Sequence, residues 1–195
     1  MPQRSKSAFV AFLDARRIAS GELVDVARAV KTALGKGEDG EVLVFDGEAR
    51  LVEVDFRGSA AEVDLSATRA LEEIEGEENR RGPGRPKLGV VAREVTLLPR
   101  HWSWLAEQPG GASVALRKLV EEASRDRHGR DKRRRAQEAT YRFLSAMAGD
   151  RPQFEEAARA LFAGDEQRFG ALVAIWPADI AEHARRLSGE AFART

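Results

Sequence analysis

Apolar positions recur in two periods along this chain, and the alternation between them outlines its elements. Phe9, Val10, Phe12 and Leu13 form an apolar run that predicts a strand ending near Asp14. Ser20 is a good N-cap, and Leu23, Val26, Ala27, Val30 and Leu34 then follow at helical spacing until Gly35. Val42 to Phe45 predicts a second strand. The Asp46-Gly47 turn signal and the run Leu51, Val52, Val54, Phe56 predict its hairpin partner. A shorter helix is expected from Asp64 through Ile74. These elements make a small α/β unit over residues 1–76.

The pattern then breaks. Residues 77–89 are Glu-rich first and then read Arg80-Arg81-Gly82-Pro83-Gly84-Arg85-Pro86-Lys87, a linker in which Gly and Pro oppose regular structure. A strand is predicted over 90–98, a Pro-initiated helix over 99–108, a Pro109-Gly110-Gly111 turn, and a helix from Ser113 to about Arg127. The remainder reads as helices over 133–148, 152–162 and 166–175, with Pro177 opening a last one to Leu187. The expected architecture is α+β: the α/β unit, the linker, a central module over 90–128, and a helical C-terminal region over 129–195. No internal repeat is visible.

Composition narrows the chemistry. The 195 residues are 43% hydrophobic, enough to build cores, and 33% charged, above the usual quarter. The absence of cysteine excludes disulfides, thiolate catalysis and Cys-ligated metal, and fits a reducing compartment. The start, MPQRSKSAF, lacks the apolar stretch of a secretory signal, and no run approaches the roughly 18 apolar residues of a membrane span. His101, His128 and His183 are far apart and lack ligand spacing, and there is no Walker loop, Gly-x-Ser-x-Gly elbow or HExxH. Neither a metal, a cofactor nor an enzymatic activity is therefore expected. The acidic cluster Glu72-Glu73-Glu75-Glu77-Glu78 reads as a solvated face.

Charge changes the picture most. Formal net charge is zero, yet Asn79 to Arg135 holds fifteen Lys/Arg against six Asp/Glu, a surplus of nine. The preceding residues hold ten against seventeen. A cationic block between acidic parts is an electrostatic footprint for a polyanion such as nucleic acid. The second basic run, Arg125 to Arg135, offers Arg130, Arg133 and Arg134 for phosphate neutralisation.

The order of strand, Pro-initiated helix, Gly turn and Ser-led helix resembles the ribbon-helix-helix proteins, the Arc/MetJ class of bacterial DNA-binding dimers. The residues that carry the resemblance are Arg93-Glu94-Val95-Thr96-Leu97-Leu98-Pro99-Arg100-His101-Trp102-Ser103-Trp104-Leu105 and Gly110-Gly111-Ala112-Ser113-Val114-Ala115-Leu116-Arg117-Lys118-Leu119-Val120. It covers under a quarter of the chain. It implies a homodimer whose strands over 90–98 pair antiparallel, with Val95, Leu97, Trp102, Leu105, Leu116, Leu119 and Val120 in a shared core. It further implies a ribbon in the major groove contacted through Arg93 and Thr96, with Ser113 and Arg117 near a backbone phosphate. Neither strand parity offers a row of polar side chains, which points to modest sequence specificity. Gly84-Arg85-Pro86-Lys87 looks like an AT-hook core, which would place Arg81, Arg85 and Lys87 along a narrow A·T-rich minor groove. The overall order of segments also resembles a bacterial family of unknown function, a resemblance that implies no activity.

The expectation is a cytoplasmic protein of the bacterial nucleoid that binds double-stranded DNA as a homodimer, as a transcriptional regulator or nucleoid-associated protein. The alternative is an oligomeric interaction or ligand-sensing scaffold without nucleic-acid binding, with an unidentified ligand or protein at its acidic N-terminal unit.

Overall fold

Five consecutive apolar residues make a strand that needs cover on both faces, and this requirement organises most of the chain. A computed structural model describes residues 8–81 and 94–193, with side chains described at all of these except 77–81 and 125–128. Strand β1 (Phe9–Leu13) is buried at every position. The chain turns at Asp14, whose φ of 50° lies in the left-handed region, and returns antiparallel as β2 (Arg16–Gly21) with a register shift between Ala11 and Phe12. Helix α1 (Leu23–Gly35) follows, burying Leu23, Val26, Ala27, Val30 and Ala33 along one stripe. β3 (Val42–Phe45) pairs antiparallel with the other side of β1, so the sheet order is β2-β1-β3.

Two apolar layers close on this sheet. On one face Phe9, Ala11 and Val44 pack with Val26 and Val30 of α1 and with Val63, Ala67 and Ala70 of α2 (Ala60–Arg81). On the other face Val10, Phe12 and Phe45 meet Phe143 and Leu144, Leu161, Phe169 and Val173, and Ile180. Those residues belong to the C-terminal helices: the end of α4 (Gly111–Ala148), α5 (Phe154–Ala163), α6 (Glu166–Val173) and α7 (Ala178–Ser188). The Phe143 ring lies 5.5 Å from Phe12 and 5.3 Å from Phe45, a tilted and an edge-on contact. The C-terminal helices are therefore the second cover of the sheet.

The described residues divide into two compact units, 8–81 with 133–193 and, separately, 94–132. The second holds α3 (Pro99–Ala106), with Pro99 in its first turn, and the beginning of α4. Gly110 and Gly111 make the turn between them, at φ 88° and 74°. A Cβ on Gly110 would stand 3.1 Å from Val114, so only glycine fits without displacement.

The mixed α+β architecture agrees with the sequence, while several elements differ from it. Ser20 caps no helix; it pairs with Val10 inside β2, and α1 begins two residues after Gly21, behind Glu22. The run 51–56 makes one bridge, Leu51 to Phe45, and then leaves the sheet. Its backbone is held elsewhere: the Asp55 N–H donates to Ser66 Oγ at 2.8 Å, and the Phe56 carbonyl accepts from Lys31 Nζ at 3.0 Å. Helix α2 starts before Asp64, at a Ser59-x-x-Glu62 capping box in which Ser59 N–H donates to Glu62 Oε2 at 2.6 Å. It runs past Gly76 to Arg81, carried by Glu and Arg, which are good helix formers. The predicted break between 127 and 133 is absent. One glycine, Gly129, costs only about 1 kcal/mol in a helix otherwise rich in Arg, Lys, Gln and Ala. Residues 94–98 form no strand within the single chain, and the remainder of that predicted ribbon, 90–93, lies outside the described residues.

Candidate nucleic-acid interface

The cations singled out in the sequence fall into three groups. Arg85, Lys87 and Arg93 lie outside the described residues. Arg81 is the last residue of α2, with its side chain outside the description. The rest are placed. Thr96 is exposed just before α3. Ser113 is exposed as the third residue of α4, so it is not the helix's first residue, and its carbonyl accepts from Arg117 Nε at 3.1 Å. Arg117, Lys118, Arg130 and Lys132 are exposed along α4 in the unit 94–132.

Arg133 and Arg134 belong to the other unit and part company there. Arg134 is exposed. Arg133 is half-buried, with its guanidinium against Gly164 at the turn closing α5. Carbonyls at a helix C-terminus favour a cation, so this position suits the Arg133 charge. Nearby, Gln137 donates to the Leu161 carbonyl at 3.1 Å, which docks α4 on the same helix end.

The predicted dimer-core residues are also sorted by the structure. In the unit 94–132, Leu105 is buried and Leu97 and Leu116 are half-buried. Val95, Trp102, Leu119 and Val120 are 42–65% exposed, and Leu98 and Trp104 are exposed beside them. Among the described residues, only Leu105 and Ala115 of this unit are buried apolar residues.

The larger unit holds features that the sequence did not mark. His183 is buried against the Phe12 and Phe143 rings, 5.5 and 4.5 Å away between centroids. Its Nδ1 lies 2.7 Å from Arg186 Nη2, which places the ring proton on Nε2. Burial, with Arg186 and Arg17 nearby, pushes its pKa down to about 4. A recess of about 690 Å³ is lined by Asp14, Arg16, Glu38, Asp39 and Asp179. Three of its four carboxylates already have partners: Asp14 accepts the Glu41 N–H at 2.9 Å, Glu38 pairs with Arg16, and Asp179 accepts the Arg17 N–H at 2.8 Å. A groove of about 1140 Å³ lies between β3, residues 51–58 and α2. Among the described residues no cluster of three His, Asp or Glu is arranged to hold a metal ion, and no helix is long and apolar enough to cross a membrane.

Together these elements define a class: an α+β chain with helices on both faces of a three-stranded antiparallel sheet and a separate, mostly helical unit. The family model for DUF2239, described as an uncharacterized protein conserved in bacteria, matches residues 8–188, and the chain belongs to this family. No curated protein and no solved structure matches the chain.

Proposed function

We propose that this protein is a homodimeric DNA-binding protein of modest sequence specificity, a transcriptional regulator or nucleoid-associated protein of the bacterial cytoplasm. The observation that carries the reading is the coincidence, in the unit 94–132, of unburied apolar side chains with exposed cations. Val95, Trp102, Leu119 and Val120 stand where a shared dimer core is expected, and one copy leaves them in water. A second copy seated on them would remove that apolar area, worth about 25 cal/mol per Å². Pairing would also bring together two sets of Arg117, Lys118, Arg130 and Lys132 as phosphate contacts for a duplex backbone. Ser113 and Arg117 near the start of α4 would contact phosphate, and the arm carrying Arg85 and Lys87, which follows the end of α2 at Arg81, would enter the minor groove.

The test is a salt titration of binding to A·T-rich and mixed duplexes. The expected result is a steep linear fall of log affinity with log salt, and a slope reduced by about one in Arg130→Ala. Absence of binding at about 50 mM salt, where phosphate contacts are strong, overturns the reading. The exposed apolar set fits equally an oligomeric scaffold that binds no nucleic acid; a dimer by sedimentation without any duplex binding would establish that second reading.

A further inference from the structure

The two edges of the sheet are treated differently. On β2 the Arg17 N–H donates to Asp179 Oδ2 at 2.8 Å and its guanidinium to Glu182 at 3.1 Å, so α7 covers that edge. On β3 the outward groups are those of Val42 and Val44, because Glu41, Leu43 and Phe45 face β1. The Val44 carbonyl accepts from Val52 at 2.8 Å. Beyond that bond the segment 53–58 swings away towards α2, and among the described residues the Val44 N–H and both backbone groups of Val42 have no partner. Open strand edges are normally blunted or covered, since they template pairing with another chain.

The geometry points to this groove as a docking site for an extended, basic peptide segment of a partner protein, which would add a strand to β3. The groove is bounded by Val42 to Val44 on one side, by 51–58 on another and by α2 on the third. Leu51 and Leu65 line it while each remains 58% exposed, giving apolar walls for alternate side chains. Its rim carries Glu53, Asp55, Glu62 and Glu73 against Arg57 and Arg69. Asp55 is already paired with Arg57, and Glu62 with Ser59. Glu53 and Glu73 make no ion pair or hydrogen bond among the described residues, so they are placed to receive basic side chains. The two open backbone groups of Val42 would start the pairing, and the side-chain alternation would supply selection. This inference rests on the unit 8–81 with 133–193 and is independent of the DNA reading.

The experiment uses the full chain and a fluorescein-labelled peptide alternating valine and arginine, followed by anisotropy. Saturable binding is expected. It should be lost when alternate amides of the peptide are N-methylated, which removes strand pairing but keeps charge. Glu53→Gln with Glu73→Gln should weaken binding about fivefold, as two exposed ion pairs would. Equal affinity of the N-methylated peptide, or of a valine–glutamate peptide, overturns the proposal. So does displacement of the peptide by rising concentrations of the unlabelled protein alone, since that would place a second copy in the groove.

Discussion

The unit 8–81 with 133–193 buries thirty-two apolar residues among those described, and the unit 94–132 buries two. The contrast does not come from a shortage of apolar side chains in the smaller unit, which exposes Val95, Leu98, Trp102, Trp104, Leu119 and Val120. In the larger unit a strand apolar on both faces collects helices from both ends of the sequence, so most of its large apolar side chains find neighbours. In the smaller, two helices joined by a glycine turn have no second layer to close on among the described residues. Domains are built from at least two packed layers, so a unit that supplies only one leaves much of its apolar surface uncovered.

Removing a packed ring from the larger unit should have the largest effect. Phe143 touches Phe12, Phe45 and His183 and is wholly buried. Phe143→Ala should lower the unfolding free energy by about 3–5 kcal/mol in urea titration. Trp104→Ala, in the smaller unit, should change that transition by under about 0.5 kcal/mol, because it empties no packed site. Equal losses would show that the two units do not differ as their burial says.

The next effect is acidic. His183 has a folded-state pKa near 4 against an ordinary 6.5, so the unfolded chain takes up a proton first. The stability this burial allows is full above pH 6.5 and is lost as pH falls towards 4, by up to about 3 kcal/mol. The carboxylates of Glu62 and Asp64, held low by Ser59 and Arg28 respectively, add a further loss only below their own ordinary range near 4. Urea midpoints between pH 7 and pH 4.5 should therefore fall in the wild type and stay nearly flat in His183→Phe. A slope unchanged by that substitution would remove His183 as the cause.

A smaller effect belongs to the start of α2. Ser59 and Glu62 satisfy each other and the free amides there, and Ser59→Ala should cost about 1 kcal/mol, read as a lower thermal midpoint. No loss would mean that the helix starts elsewhere.

Legibility in the sequence follows the same division. Elements with strong periodicity, such as α1, α5, α6 and α7, were readable to within a few residues, because a burying face imposes its spacing. The unbroken run Phe9 to Leu13 also held the signal that a second layer was needed, although nothing local says that this layer comes from residues some 130 positions later. The capping box at Ser59 was present in the letters but lay outside the apolar run from which the helix was read. The alternation over 51–56 serves a half-buried extended segment as well as a ladder, so it does not by itself specify a strand. The candidate interface was visible as charge and as exposed apolar letters. That Arg133 would be drawn onto the end of α5 depends on a fold no local pattern contains.

The smallest effect on folding is the sharpest test of the comparison. Val120 is 65% exposed on α4, so Val120→Glu should alter the unfolding free energy of the chain by less than about 0.5 kcal/mol. If the apolar set of the smaller unit is covered by a second copy, the same substitution buries a carboxylate against apolar surface in the dimer, a cost of several kcal/mol that association cannot absorb. Sedimentation should then report a monomer for Val120→Glu and a dimer for the wild type, with circular dichroism unchanged. A wild type that sediments as a monomer would mean that this face is left open, and the shared core assigned to Val95, Trp102, Leu119 and Val120 would have to be abandoned.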